Sequence, residues 1–155
     1  YQPRYSTPTT ASGNRLTDNY VHDVMQQMND GACIYTLGWN PNAVISGNYC
    51  LRTNGYFGLY FDEGSRYYTA TGNVFSATGT WATANYWGGE NMGNWTVTNN
   101  WSTNGSTNVT NGDRGNVVNN NVTEGMRVIF RVFSTDLIRP FSSRPFAILA
   151  TASRR

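Results

Sequence analysis

The sequence predicts an α+β domain in which β-strands dominate. Three observations carry this: one run with helical spacing near the N-terminus, many short β-type runs after it, and a length of 155 residues that suits a single domain with a core. The helix is expected over residues 18–29. Thr17 and Asp18 offer an N-cap, Leu16, Tyr20, Val24 and Met28 recur every fourth residue beside Val21 and Met25, and Asp30-Gly31 supplies a stop. From Ala32 onward the texture changes to short runs rich in β-branched and aromatic residues, at 33–37, 43–45, 56–61, 66–69, 73–75, 80–87 and 127–133. Asn54-Gly55 is a hairpin turn signal, so several of these strands are expected to be antiparallel. In the last run Val128, Phe130 and Val132 alternate with Arg127, Ile129, Arg131 and Phe133, as in a strand covered on one face.

Residues 1–15 mix Pro, Ser, Thr and Gly without apolar periodicity and read as an extended arm or linker. The binding domain is placed at 16–133. Residues 134–155 form a C-terminal extension whose patch Phe146-Ala147-Ile148-Leu149 is either a further strand or one offered to a partner. Tyr1 is expected to begin a processed or excised piece, since neither a start Met nor a signal peptide precedes it.

Composition narrows the function. Charged residues make up 13 %, aromatics 14 %, and Lys is absent, so Asn, Thr, Ser, Gly and Tyr must cover the surface, as in many extracellular binding proteins. The net charge of +2 comes from dispersed Arg without basic clusters, which argues against nucleic acid. No apolar run approaches the roughly 20 residues that span a bilayer. Cys33 and Cys50 flank sixteen residues containing Gly38, Pro41 and Gly47, so a disulfide is feasible, and two buried free thiols are the alternative.

The segment 91–123 stands out: eleven of its thirty-three residues are Asn, and Asp113 and Arg114 are its only charges. So few aliphatic residues predict a displayed surface rather than core. The run Asn85-Tyr86-Trp87-Gly88-Gly89-Glu90-Asn91 just before it suits the rim of a binding surface, because aromatic faces stack on sugars while Asn and Glu supply directional hydrogen bonds. Trp81 and Trp87 also fit a sheet core. Trp95 and Trp101 each follow an Asn, and each is either an anchor for the loop or a contact residue. Ligand contacts are accordingly expected at Tyr86, Trp87, Glu90, Asn91, Trp95, Asn100, Trp101, Asn104, Asn116 and Asn119. Five Asn-x-Ser/Thr sequons begin at Asn94, Asn100, Asn104, Asn108 and Asn121, and glycosylation there would require a host with that machinery.

Catalytic signals are thin. His22 is the only histidine, with Asp18 and Asp23 near it in sequence, and a metal site or nucleophile–base pair normally needs more than one such group. Hydrolase, zinc-protease, phosphate-loop and CxxC motifs are absent. Asp62 and Glu63 are adjacent, so on a strand they point to opposite faces, and a glycosidase pair would need Glu90 to join one of them. No catalytic residue, metal or cofactor is expected.

Several pieces fall in a familiar order. The helix and the Cys33–Cys50 loop lead to Arg52-Thr53-Asn54-Gly55-Tyr56-Phe57-Gly58-Leu59-Tyr60-Phe61, then to Gly64-Ser65-Arg66-Tyr67-Tyr68 and Ala84-Asn85-Tyr86-Trp87-Gly88-Gly89. Gly115-Asn116-Val117-Val118-Asn119-Asn120-Asn121 and Gly125-Met126-Arg127-Val128 follow. Over about 18–133 this resembles the Fibrobacter-succinogenes-major-paralogous type of domain, common on Bacteroidetes surfaces, although Gly88-Gly89 stands where small hydroxyl residues are usual and the family's closing Cys is missing. The resemblance implies a C-type-lectin-like fold on a cell-surface protein, pilus tip or phage tail, with the Asn-rich segment facing a ligand. The calcium-binding tripeptides of animal lectins and the catalytic cysteines of the formylglycine-generating relatives are absent, so neither chemistry is implied.

The expectation is therefore a non-enzymatic extracellular module, an adhesin or receptor-binding domain at a cell or virion surface, recognising a glycan or protein receptor. The alternative is a filament, pilus or capsid subunit, a homo-oligomer exchanging strands through its terminal extensions.

Overall fold

The computed structural model describes residues 8–54, 56–76, 80–86, 91–103 and 106–123. The chain winds into stacked coils of short strands. The first coil holds β1 (Arg15–Thr17), β2 (Tyr20–His22) and β3 (Ala32–Thr36), and the second holds β4 (Trp39–Ser46), β5 (Tyr49–Leu51) and β6 (Phe57–Phe61). The third holds β7 (Arg66–Thr71), β8 (Val74–Ser76) and β9 (Ala82–Ala84), the fourth β10 (Thr96–Thr98) and β11 (Trp101–Ser102), and the fifth β12 (Val117–Asn119) and β13 (Val122–Thr123). Three sheets run along the stack, in the orders β1-β4-β7-β10-β12, β13-β11-β8-β5-β2 and β3-β6-β9. Every pairing between these strands is parallel, which makes the domain a β-solenoid.

Register aligns like with like. On the first sheet Leu16, Ile45, Ala70, Val97 and Val118 stack in one column. On the second, Val21, Cys50 and Phe75 stack, and on the third Ile34 stacks on Leu59. These columns, with Phe61, Trp81 and Trp95, fill the interior. Cys33 and Cys50 form a disulfide with Cα atoms 6.1 Å apart, tying β3 of the first coil to β5 of the second.

The corner between the first and second sheets repeats five times as Leu16-Thr17-Asp18-Asn19, Ile45-Ser46-Gly47-Asn48, Ala70-Thr71-Gly72-Asn73, Val97-Thr98-Asn99-Asn100 and Val118-Asn119-Asn120-Asn121. The third residue of each has positive φ, between 54° and 66°, which Asp, Asn and Gly tolerate best. The fourth builds an asparagine ladder. The backbone N–H and Nδ2 of Asn19 donate to Asn48 Oδ1 (3.1 and 2.8 Å), and Asn48 does the same to Asn73 (3.0 and 2.9 Å). Asn73 donates in turn to Asn100, and Asn100 to Asn121, each at 3.0 and 2.9 Å. The amides of Asn48, Asn73, Asn100 and Asn121 also reach back to carbonyls of Leu16, Ile45, Ala70 and Val97 in the coil before.

These features correct the α+β, C-type-lectin-like expectation with its N-terminal helix and antiparallel strands. Residues 18–29 form no helix. Asp18, Asp23 and Met25 have φ of 58°, 54° and 59°, while the N–H groups of Asp18 and Asp23 donate to Ser46 and Leu51 of the second coil. A helix of that length is marginal in water, and stacking on the next coil satisfies the same backbone groups. The supposed apolar stripe is largely left in solvent, with Tyr20 57 % and Met28 72 % exposed. The Asn54-Gly55 hairpin is also replaced: β5 and β6 belong to different sheets, and Gly55 lies outside the described residues. Nor is 91–123 mainly display, because it supplies four strands and the buried Met92, Trp95, Val97 and Val109. The run at 127–133 lies outside the described residues, as do 1–7 and 124–155.

Candidate binding surface

Where the third side of each coil turns into the first sheet, aromatic and cationic side chains collect. Arg66 opens β7 in register with Trp39 on β4 and bridges to Gly93 on the coil beyond. Its guanidinium carbon lies 4.9 Å from the Trp39 ring centroid and 4.8 Å from that of Tyr67, so aromatic rings flank it. With the Asn94 amide turned to satisfy its neighbours, its oxygen accepts from Arg66 Nε (3.0 Å) and Nη2 (2.9 Å). A second pair lies nearby in the same corner, with the Arg114 guanidinium 4.8 Å over the Tyr86 ring.

Local backbone chemistry permits this crowding. Tyr67 N–H donates to the Gly93 carbonyl, and Asn94 N–H to that of Arg114. Gly93 has φ 119°, and a Cβ there would stand 2.5 Å from the Arg114 carbonyl oxygen; one on Gly115, φ 75°, would stand 2.7 Å from the Asn94 side-chain amide. Both positions require glycine. Burial, with the Asp113 charge adding to it, raises the Tyr86 hydroxyl above the ordinary tyrosine value. Trp39 Nε1 and the Tyr86 hydroxyl are buried and meet no partner among the described residues.

The expected contact residues divide. Tyr86 is half-buried in this corner, and Asn91 and Asn119 are exposed. Trp95 is 0 % exposed, its ring stacked on Phe61 at 4.4 Å and 9°, with Nε1 donating to the Ser65 carbonyl at 3.0 Å. It is an anchor of the fold. Asn100 is 1 % exposed and spent on the ladder, and buried Asn116 accepts from Trp95 N–H at 3.1 Å. Trp101 is half-buried on the second sheet between Val74 and Val122, and Trp81 is core. Trp87, Glu90 and Asn104 lie outside the described residues. Among the sequons, the amides of Asn100, Asn108 and Asn121 already donate to backbone or side-chain oxygens, so a glycan there would break fold contacts.

Of the carboxylates weighed for hydrolysis, Asp62 has structural partners and Glu90 lies outside the described residues. Asp62 is buried, accepting from the Tyr35 hydroxyl and from Asn85 Nδ2 at 2.8 Å. Burial and the bond to Asp62 hold the Tyr35 hydroxyl well above its usual range; burial, then the Asp62 charge, pushes Tyr60 up to about 12. His22 is exposed, its Nδ1 2.7 Å from Asp23 Oδ2. The Arg52 side chain grips the same carboxylate (Nε–Oδ1 2.5 Å, Nη2–Oδ2 2.6 Å) and, with His22, holds Asp23 well below the usual carboxylate range. Among the described residues no three His, Cys, Asp or Glu side chains are grouped to hold a metal ion, and no helix is long and apolar enough to cross a membrane.

Trp39, Arg66, Tyr67 and Arg114 are not singled out by sequence reasoning. The five-fold Asn corner would have found them, since aligning the coils on it brings Trp39, Arg66 and Asn94 toward one corner. Fold and corner together define a disulfide-bridged parallel β-solenoid bearing an aromatic and cationic ridge. No protein-family model, curated protein or solved structure matches the chain.

Proposed function

We propose that this solenoid is an extracellular, non-enzymatic binding module at a cell or virion surface, recognising an acidic glycan through the ridge of Trp39, Arg66, Tyr67, Asn94, Tyr86 and Arg114. The observation that carries the reading is the Arg66 guanidinium. Rings flank it and the Asn94 oxygen takes Nε and Nη2, while Nη1 meets no acceptor among the described residues, and a guanidinium with donors to spare suits a carboxylate. The neighbouring aromatic rings suit the apolar face of a sugar. The disulfide supports an oxidising, extracellular setting. Binding rather than hydrolysis is favoured because Asp62, the buried carboxylate, is engaged through both oxygens.

The test is a panel of neutral and uronic- or sialic-acid-bearing glycans. Arg66→Lys keeps the charge but loses the planar donor pair, and is expected to weaken acidic-glycan binding at least tenfold with an unchanged circular dichroism spectrum. Wild-type binding by Arg66→Lys, or no acidic glycan bound by the native chain, would refute the proposal.

A further inference from the structure

A parallel stack of coils has two unlike ends. At the first coil, β1, β2 and β3 each pair on one side only, with β4, β5 and β6, and at the last, β12 and β13 pair only with β10 and β11. Among the described residues each end therefore presents open parallel edges.

The ladder makes these ends complementary. Every rung donates its backbone N–H and an Nδ2 proton toward the fifth coil and accepts two bonds at Oδ1 from the coil before. Asn19 has no rung before it, so its Oδ1 accepts from no described residue. Asn121 has no rung after it: its Nδ2 reaches Val97, and its backbone N–H has no acceptor among the described residues. Among the described residues one end lacks donors and the other lacks an acceptor.

A second observation concerns packing. A cavity of about 220 Å³ opens at the first coil, lined by Leu16, Ile34, Ala43, Ile45 and Tyr68. Asn40, also on its wall, is buried with its Oδ1 unpaired among the described residues. Leu16, which begins the inner column of the first sheet, is 41 % exposed there, and at the opposite end that column closes on half-buried Val118. The inner columns of the solenoid are thus left uncovered at the first coil, where another coil of the same register would continue them.

We propose that the solenoid stacks head to tail on a second copy of itself, the Asn121 end of one copy docking on the Asn19 end of the next. Asn121 N–H and Nδ2 then donate to the second copy's Asn19 Oδ1, repeating the interior rung, and the parallel sheets run on across the junction. Because the two surfaces differ, the contact is heterologous and propagates into filaments or rings rather than closing as a two-fold dimer. This interface uses the coil ends and leaves the Arg66 ridge on the side, so it stands apart from the glycan reading.

Sedimentation velocity on the full 155-residue chain over a range of concentrations tests it, with circular dichroism to verify folding. The native chain is expected to grow in mass with concentration. Leu16→Lys blocks one end and Val118→Lys the other, at the two ends of the same inner column, so each variant alone should associate at least tenfold more weakly. Mixed in equal amounts, they should form a dimer and nothing longer, since each retains the end the other lacks. Asn19→Ala, which keeps its backbone rung to Asn48, should also weaken association. A chain that stays monomeric at every concentration overturns the proposal, as does self-association of either lysine variant at native strength.

Discussion

Replacing Asn73 with Ala is expected to cost about 3–5 kcal/mol of folding stability, because one buried side chain satisfies three coils. Asn73 is fully buried; its Oδ1 accepts from the backbone N–H and Nδ2 of Asn48, and its Nδ2 donates to Asn100 Oδ1 and the Ile45 carbonyl, both at 2.9 Å. Truncation leaves the Asn48 N–H wholly without an acceptor, a penalty of about 1–3 kcal/mol. Asn48 Nδ2 keeps its bond to Leu16 and Asn100 Oδ1 keeps the Asn73 N–H, so these partial losses, with that at Ile45, add about 1 kcal/mol each at most. Small domains have about 5–15 kcal/mol in total, so the variant should sit near the edge of folding. Asn73→Asp preserves volume and acceptor but faces the Asn100 oxygen and the Ile45 carbonyl without donors, and should lose at least as much. Asn19→Ala is the control: it is exposed and its backbone N–H still donates to Asn48, so about 1 kcal/mol or less is expected. Urea unfolding followed by tryptophan fluorescence at pH 7 measures all three. A loss below about 1 kcal/mol at Asn73, or equal losses at Asn73 and Asn19, would refute the ladder as the fold's polar spine.

Trp95→Ala removes a fully enclosed ring and should cost about 3–5 kcal/mol, whereas half-buried Trp101→Ala should cost clearly less; equal thermal shifts would contradict the burial assigned to them. Converting Cys33 and Cys50 together to Ser should lower stability by about 3 kcal/mol on the chain-entropy view, read as a shift in urea midpoint under non-reducing conditions. Tyr60 is raised to about 12 in the fold, so the folded state holds its proton between the ordinary value of about 10 and that point. Its contribution is fully present below pH about 10 and is lost as pH climbs through 12, so the urea midpoint should fall across that window, less steeply in Tyr60→Phe. A midpoint that rises there would reverse the sign.

Part of this architecture is legible locally. Strands occur where β-branched and aromatic runs predict them, at β3, within β4, and at β6, β7 and β8, because a half-buried extended backbone favours those side chains wherever its partner lies. The corner residues are legible too, since Asp18, Gly47, Gly72, Asn99 and Asn120 all tolerate positive φ. The Asn-rich segment misleads because Asn is read as a surface residue. Asn48, Asn73 and Asn100 are buried, and each is affordable inside only because its neighbours, 21 to 29 residues away, are also Asn. The candidate ridge is hidden for the same reason: Trp39, Arg66 and Asn94 are dispersed in sequence and meet only when coils stack.

Residue chemistry alone therefore dictated short strands, tight polar turns and two cysteines able to bridge, since each depends on neighbours a few positions away. Whether those strands pair antiparallel through hairpins or parallel through full coils is a choice between partners about 25 residues apart, and local preferences are nearly silent on it. The stack decided it. Once the chain returns parallel, one repeated corner places every Asn against the next, and the rungs, inner columns and Arg66 ridge arise together from that single register.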